Sequence, residues 1–461
     1  MTDRRLLALG GRAGLALLGA AAATALALGV VLAPGPTLSV QPQGITVTPV
    51  RATQSLVCGG PVLGLSRGEN PQLVAVGEPQ RHRAGAGLTE RSITESDAVD
   101  GSAAIVELPT EAPSTQVAAT ERQSLDADEL RGLAVAECLA PAPTAWLVGG
   151  GTTTGRSSLI VLGNPGDVAA TVDLTVWGAD GIIDAPGTTG LVVAPGAQRI
   201  VPLSGIAPDQ ASPVVGVTSR GGTVAATLQQ STIIGLEPAG VDVVTPVAAP
   251  AERIVIPALP IIDFERVARA STELGADDLV PVLRLLVPGD EAADVTATFV
   301  PAEGGEGTSL SATIEPGAVI DLSFAELADG DYSVVVDSTR PVVGAARAST
   351  ATDDGVDSAW FSAAPALTDA DGEILVAVAP GAGARLHLVA PDGDASVTID
   401  GAAVEVPAGT SVSVPLAGST SPLLTVSGEV RAAVTYRGDA GLASARILPP
   451  VGAPRPITVY P

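Results

Sequence analysis

Ser158-Leu159-Ile160-Val161-Leu162-Gly163-Asn164-Pro165-Gly166 is an alternating apolar strand that stops at a proline turn. The arrangement returns as Val282-Leu283-Arg284-Leu285-Leu286-Val287-Pro288-Gly289-Asp290. It returns again as Ala384-Arg385-Leu386-His387-Leu388-Val389-Ala390-Pro391-Asp392-Gly393. The period is about 105 residues. Alternation puts Leu159 and Val161 on one face and Ser158 and Ile160 on the other, as a strand over a core requires.

The surroundings of this strand repeat as well. A short strand opens each copy: Ala145-Trp146-Leu147-Val148-Gly149, then Ile254-Val255-Ile256-Pro257-Ala258-Leu259, then Ala359-Trp360-Phe361 running on to Pro365-Ala366-Leu367. Another strand follows the turn, at residues 171–176, 295–300 and 396–399. A strand–turn–strand unit comes next, bent at Pro195-Gly196, Pro316-Gly317 and Pro407-Ala408-Gly409. Each copy closes with a hairpin of small residues around Gly221-Gly222, Arg340-Pro341 or Gly428-Glu429. About seven short strands per hundred residues is the arithmetic of an immunoglobulin-like sandwich. The expected repeats are 141–250, 251–352 and 353–461. Trp146 and Trp360 then fall at matching places, which reads as core packing.

Residues 34–140 are less regular but end as a repeat ends, and are expected to form an N-terminal β domain. Helix is scarce; residues 126–131 have room for a turn or two. Cys58 and Cys138 are the only cysteines in the 461 residues. In an oxidising compartment such a pair is expected to bridge. A bridge closing a loop of this length stabilises by roughly 2–4 kcal/mol.

That compartment is argued from the start of the chain. Residues 13–33 carry no charge, and Arg4, Arg5 and Arg12 precede them. The run is long enough to cross a bilayer as a helix. The positive-inside rule keeps residues 1–12 in the cytoplasm and sends the C-terminus out. A signal peptide has a shorter apolar region, so an uncleaved, single-pass anchor in the cell membrane is the expectation. The membrane is then a partner through this one helix. Gly14, Gly19, Ala20 and Ala23 are small enough for close packing against a second helix.

The formal net charge is −26, and every cationic side chain that titrates above neutrality is Arg. An acidic chain is repelled by nucleic-acid phosphates, so no nucleic-acid partner is expected. Aromatic residues make up 2% of the chain, too few for a stacking platform for sugars or bases.

The strand at residues 132–138, the run Trp146-Leu147-Val148-Gly149-Gly150-Gly151 and the Asn164-Pro165-Gly166 turn with Ala169-Ala170-Thr171-Val172 behind it form a recognisable set. On these motifs the chain resembles a family of uncharacterised actinobacterial proteins that look like single-span, extracytoplasmic β-proteins. The resemblance implies a cell-envelope role, beside a large membrane glycosyltransferase near which members are often encoded. It supplies no catalytic residues.

The motifs that suggest chemistry have simpler readings. Gly64-Leu65-Ser66-Arg67-Gly68 has the nucleophile-elbow pattern, but Asn70-Pro71 follows where a helix is needed. Residues 150–157 have phosphate-loop spacing, with Arg156 in the place of Lys, and run into a strand instead of a helix. Asp369-Ala370-Asp371-Gly372 and Asp392-Gly393-Asp394 hint at calcium loops, as do Asp353, Asp354 and Asp357. Leu367 and Val378, however, stand where the twelve-residue loop needs carboxylates. Arg437-Gly438-Asp439 reads as a turn. His82 and His387 are too few and too far apart for a zinc site.

The expectation is therefore mainly β: an N-terminal transmembrane helix followed by tandem sandwiches. Its role is that of a non-catalytic scaffold or accessory protein of the cell envelope, with an envelope protein as partner. No cofactor, metal or small-molecule substrate is expected. The alternative is a cell-surface ligand-binding or adhesion protein.

Overall fold

The structure is a computed structural model. It describes residues 45–47, 52–451 except 68, 303, 306, 325–326, 382 and 439–440, and 457–459. The chain divides into two units. In the smaller, Ile45–Val47 pairs antiparallel with Ile457–Val459. The larger spans Arg51–Ala453. Residues 13–33, the expected span, lie outside the described residues. Among the described residues no helix is long and apolar enough to cross a membrane.

The fold is mainly β, in several sheets. The strand Arg156–Gly163 packs against two clusters at once. Ile160 and Leu162 face a sandwich core that also holds Leu174, Val176 and Leu228. Leu159 and Val161 are covered from the other side by Leu63 and Ala98 of the N-terminal segment. The strand is buried on both faces, which is what a continuous apolar run allows.

In this repeat one sheet sets Val214–Gly221 between Thr144–Val148 and Ala170–Gly178. The other runs Glu237–Val244, Ala225–Ile234, Arg156–Gly163, Ala197–Pro202. The closing segment is therefore no hairpin. Val214–Gly221 and Ala225–Ile234 lie in different sheets, and the chain crosses between them at Gly221, whose φ of 81° suits glycine. An immunoglobulin sandwich pairs its first strand with its second, and its last two with each other. Here the opening strand Thr144–Val148 pairs with Val214–Gly221, and the next, Arg156–Gly163, pairs with Ala225–Ile234.

The same order recurs. Around residues 251–362, Gly330–Thr352 is one long strand serving both sheets. Its first half pairs with Ala251–Ile261 and Ala293–Pro301, and its second with Val282–Leu286 and Gly355–Ser362. This last pairing carries the sheet past the sequence division at 352/353. Around residues 373–446, Leu423–Ser427 lies between Glu373–Leu375 and Ala395–Ile399. Its second sheet runs Thr410–Pro415, Arg385–Ala390, Glu429–Gly438, Gly441–Arg446. The N-terminal segment follows suit, with Ala104–Leu108 between Gln54–Cys58 and Thr89–Ser92. Its other sheet runs Arg131–Glu137, Ala118–Asp126, Gln80–Ala84. Among the described residues there are thus four repeats sharing one core strand order, the first with smaller sheets, an added pair at Leu63–Leu65 and Leu73–Ala75, and a short strand at Glu95–Ser96 given to the second repeat's sheet.

Cys58 and Cys138 are bonded and join the two sheets of the first repeat. Residues 126–131 form the tight hairpin between two strands, not helix. The α-helix among the described residues is Phe264–Leu274, inserted after the opening strand of the third repeat. Asp263 accepts from the Arg266 backbone N–H at its start, and Gly275 in left-handed conformation ends it.

The last strand of each repeat is innermost. Arg131–Glu137 packs on Glu237–Val244, that on Gly355–Ser362, that on Gly441–Arg446, and the last returns to the first. The repeats close a ring.

Candidate functional site

Two polar groups stand out in this ring: the carboxyls at its axis and a set of buried arginines beside it.

The inner strands share a short motif: Gly132-Leu133-Ala134, Gly240-Val241-Asp242, Gly355-Val356-Asp357, Gly441-Leu442-Ala443. Each glycine has a φ between 127° and 142°, which disfavours side chains. A Cβ on Gly132, Gly240 or Gly441 would run into the carboxylate of Asp357. That carboxylate fills the axis. It accepts from the backbone N–H groups of Leu442 (3.0 Å), Leu133 (3.3 Å) and Val241 (3.3 Å), one from each of the other repeats. Burial pushes its pKa well above the usual carboxylate range, against the pull of those N–H groups. Asp242 occupies the equivalent place in the second repeat. It accepts from the Trp360 backbone N–H at 2.7 Å and from Val243 at 2.8 Å. Burial pushes it up to about 7.

Trp360 links the axis to the arginines. Its indole N–H donates to Gln230 at 2.8 Å, and the guanidinium of Arg284 lies 4.5 Å from its ring centroid, a cation–π contact. Arg284 is 0% exposed, mid-strand in Val282–Leu286. It grips Asp321 with two parallel bonds of 2.8 and 2.9 Å. Its remaining N–H groups go to the carbonyls of Gly150, Pro213 and Ala211 in the second repeat. Burial alone would raise Asp321, but the Arg284 charge and hydrogen bonds hold it below the ordinary value. Arg156 holds Asp278 across the same repeat boundary, through Nε at 2.7 Å and through Nη2. Asp278 is likewise held low against burial.

Arg347 is the third guanidinium, 6% exposed and 5.4 Å from the Trp360 ring centroid. Among the described residues its hydrogen bonding is one 3.4 Å donation from Nη2 to the Val280 carbonyl, and its buried Nε has no partner. Burial, then the nearby Arg284 charge, lower its pKa to about 10. Arg156, Arg347, Gly150, Gly151, Thr153 and Asp277 are among the residues lining a cavity of about 260 Å³ beside it.

The residues singled out from sequence are not brought together. Ser66 accepts from the Gln72 backbone N–H at 2.9 Å in an exposed turn, and Gly68 lies outside the described residues. His82 bonds Ser421 at 2.9 Å, far from His387 in sequence and on another partner set. His387 is buried against Thr435 at 2.9 Å, and burial lowers its pKa to about 4. Asp371 caps Thr368, Asp394 accepts from the Ala408 N–H, Asp392 pairs with Arg253, and Asp353 with Arg266. No group of three His, Cys, Asp or Glu able to hold a metal occurs among the described residues. Asp439 of the Arg437-Gly438-Asp439 tripeptide lies outside the described residues. Trp146 and Trp360 do not match: one sits in an opening strand against Trp177, the other in an inner strand. The loop at 150–157 feeds the strand Arg156–Gly163, as expected, yet it forms a wall of the cavity.

Sequence reading missed Arg284, Arg347 and the inner-strand motif. An arginine amid four apolar residues, as at Arg284, was the available signal.

What the ring and its buried charges define is a closed β assembly of four repeats, built round polar side chains that hold strands together. The chain belongs to the family of unknown function DUF5719, whose model matches residues 93–427. No curated protein matches it. Among solved structures, Thermotoga maritima 1070 is 18% identical, over 25% of this chain and 93% of that one, at a TM-score of 0.20. An anti-sigma factor domain-containing protein is 8% identical, over 87% and 97%, at 0.13. Another, from Clostridium clariflavum, is 6% identical, over 88% and 100%, at 0.14.

Proposed function

We propose that this protein is a non-catalytic scaffold or accessory subunit of the cell envelope, anchored by residues 13–33 with its β ring outside the cytoplasm. On this reading it belongs with the actinobacterial envelope proteins that it resembles, and its partner is a polytopic membrane enzyme of the glycosyltransferase kind. The observation that carries the reading is where the buried polar groups go. Asp357, Asp242 and Arg284 all join one repeat to another. A disulfide in the first repeat agrees with an oxidising compartment. Small residues in the apolar run suit helix packing inside the bilayer.

The test is co-purification of the full chain from its native membrane in mild detergent, followed by mass spectrometry. A stoichiometric membrane enzyme that is lost when residues 13–33 are replaced by an unrelated span is the expected result. A protein that runs alone, or that fractionates away from membranes, would overturn the proposal.

A further inference from the structure

We infer that the cavity between the second and third repeats is a binding site for a small oxyanion, a phosphate or carboxylate group, with Arg347 as its principal ligand. This goes beyond the scaffold reading and does not depend on it.

The argument is one of unmatched charge. Arg284 and Arg156 each have a carboxylate in hydrogen-bonded contact, Asp321 and Asp278. Arg347, nine-tenths buried in the same cluster, has no carboxylate in contact among the described residues and leaves Nε without a partner. A buried guanidinium presents five donors, and leaving them unpaired is costly. Stacking near Trp360 offsets part of that cost and uses none of the donors. Arg347 lines the cavity of about 260 Å³, so open space lies against the one guanidinium of the three that has no carboxylate in contact, although Asp278 and Asp321 act on its charge from a distance.

The walls suit a single oxyanion group. Gly150 and Gly151 bring backbone close without side chains, and Thr153 offers a hydroxyl. Arg156 adds a second guanidinium, paired with Asp278, which lines the cavity as well. Asp277 at the exposed rim, and the helix C-terminus at Gly275, weigh against a highly charged group such as a diphosphate or triphosphate. Planar, forked recognition by arginine fits an oxyanion better than a halide.

Isothermal titration of the full chain in neutral detergent with inorganic phosphate, acetate and glycerol 3-phosphate tests the inference. Saturable one-to-one binding of at least one is expected, weakened at least tenfold in Arg347→Met and less in Arg347→Lys. Thr153→Glu, which places a carboxylate at the cavity without touching the buried cluster, should also abolish binding. It keeps the test decisive if Arg347→Met does not fold. Tighter binding of glycerol 3-phosphate than of phosphate would support a ligand that is the phosphate end of a larger molecule. The reverse would support the free ion. No saturable binding by the parent, or equal binding by parent and Thr153→Glu, overturns the site.

Discussion

At the residue scale, burial of acids at the ring axis makes stability depend on pH. Asp242 binds its proton up to about pH 7 when folded, against an ordinary value of 3.8. The folded state therefore holds more protons between those values, and stability is lost as pH rises through them. The slope is at most about 1.4 kcal/mol per pH unit for one group. Asp357 leans the same way, while His387, lowered to about 4, loses its contribution as pH falls below the ordinary histidine range. Comparing the parent with Asp242→Asn isolates one of the three. Urea midpoints taken from pH 4 to 7 should fall more steeply with rising pH in the parent. Parallel curves would show that Asp242 is not the group responsible. None of these acids was readable as buried from sequence, because Gly240-Val241-Asp242 and Gly355-Val356-Asp357 look like ordinary strand starts. What buries them is the meeting of four strands far apart in the chain.

At the scale of elements, local signals were legible and pairing was not. Alternation and proline turns marked Arg156–Gly163, Val282–Leu286 and Arg385–Ala390 correctly as strands. Which strand lies beside which is a long-range matter. The crossing at Gly221 looked like a hairpin because two strands flank a glycine pair. The helix Phe264–Leu274 went unread although Asp263 and Gly275 bracket it, because it interrupts a strand pattern. The cysteine pair was legible, since two cysteines leave one pairing. The bond ties the sheet of Gln54–Cys58 to the sheet that holds Arg131–Glu137, an inner strand of the ring. Cys58→Ser with Cys138→Ser should cost roughly 2–4 kcal/mol, read from denaturant unfolding without reductant. Dithiothreitol should then shift the parent and leave the variant where it is. An unshifted parent would mean that the bond contributes nothing.

At the scale of the whole molecule, the sequence showed three repeats and an irregular segment, and the structure shows four repeats in one closed unit. The difference has a thermodynamic signature. In an open array, each repeat touches only its neighbours, and losing a terminal one costs one interface. In the ring, removing residues 363–461 takes away Gly441–Arg446, uncovers two other inner strands and leaves Asp357 without the Leu442 N–H. The truncated chain should therefore fail to show a cooperative urea transition by circular dichroism, while the parent unfolds in a single step. A truncated chain that retains three quarters of the signal and a sharp transition would place the stability in separate repeats.

The axis has an evolutionary consequence. The third repeat supplies the carboxylate of Asp357, and the other three supply glycines that leave room for it. A side chain gained at Gly132, Gly240 or Gly441 has to be answered by a change at Asp357, in a different repeat. Change at the axis is therefore shared among repeats, and the inserted helix Phe264–Leu274 shares it again, since Val267 packs with Ile234 and Ala239 of the second repeat.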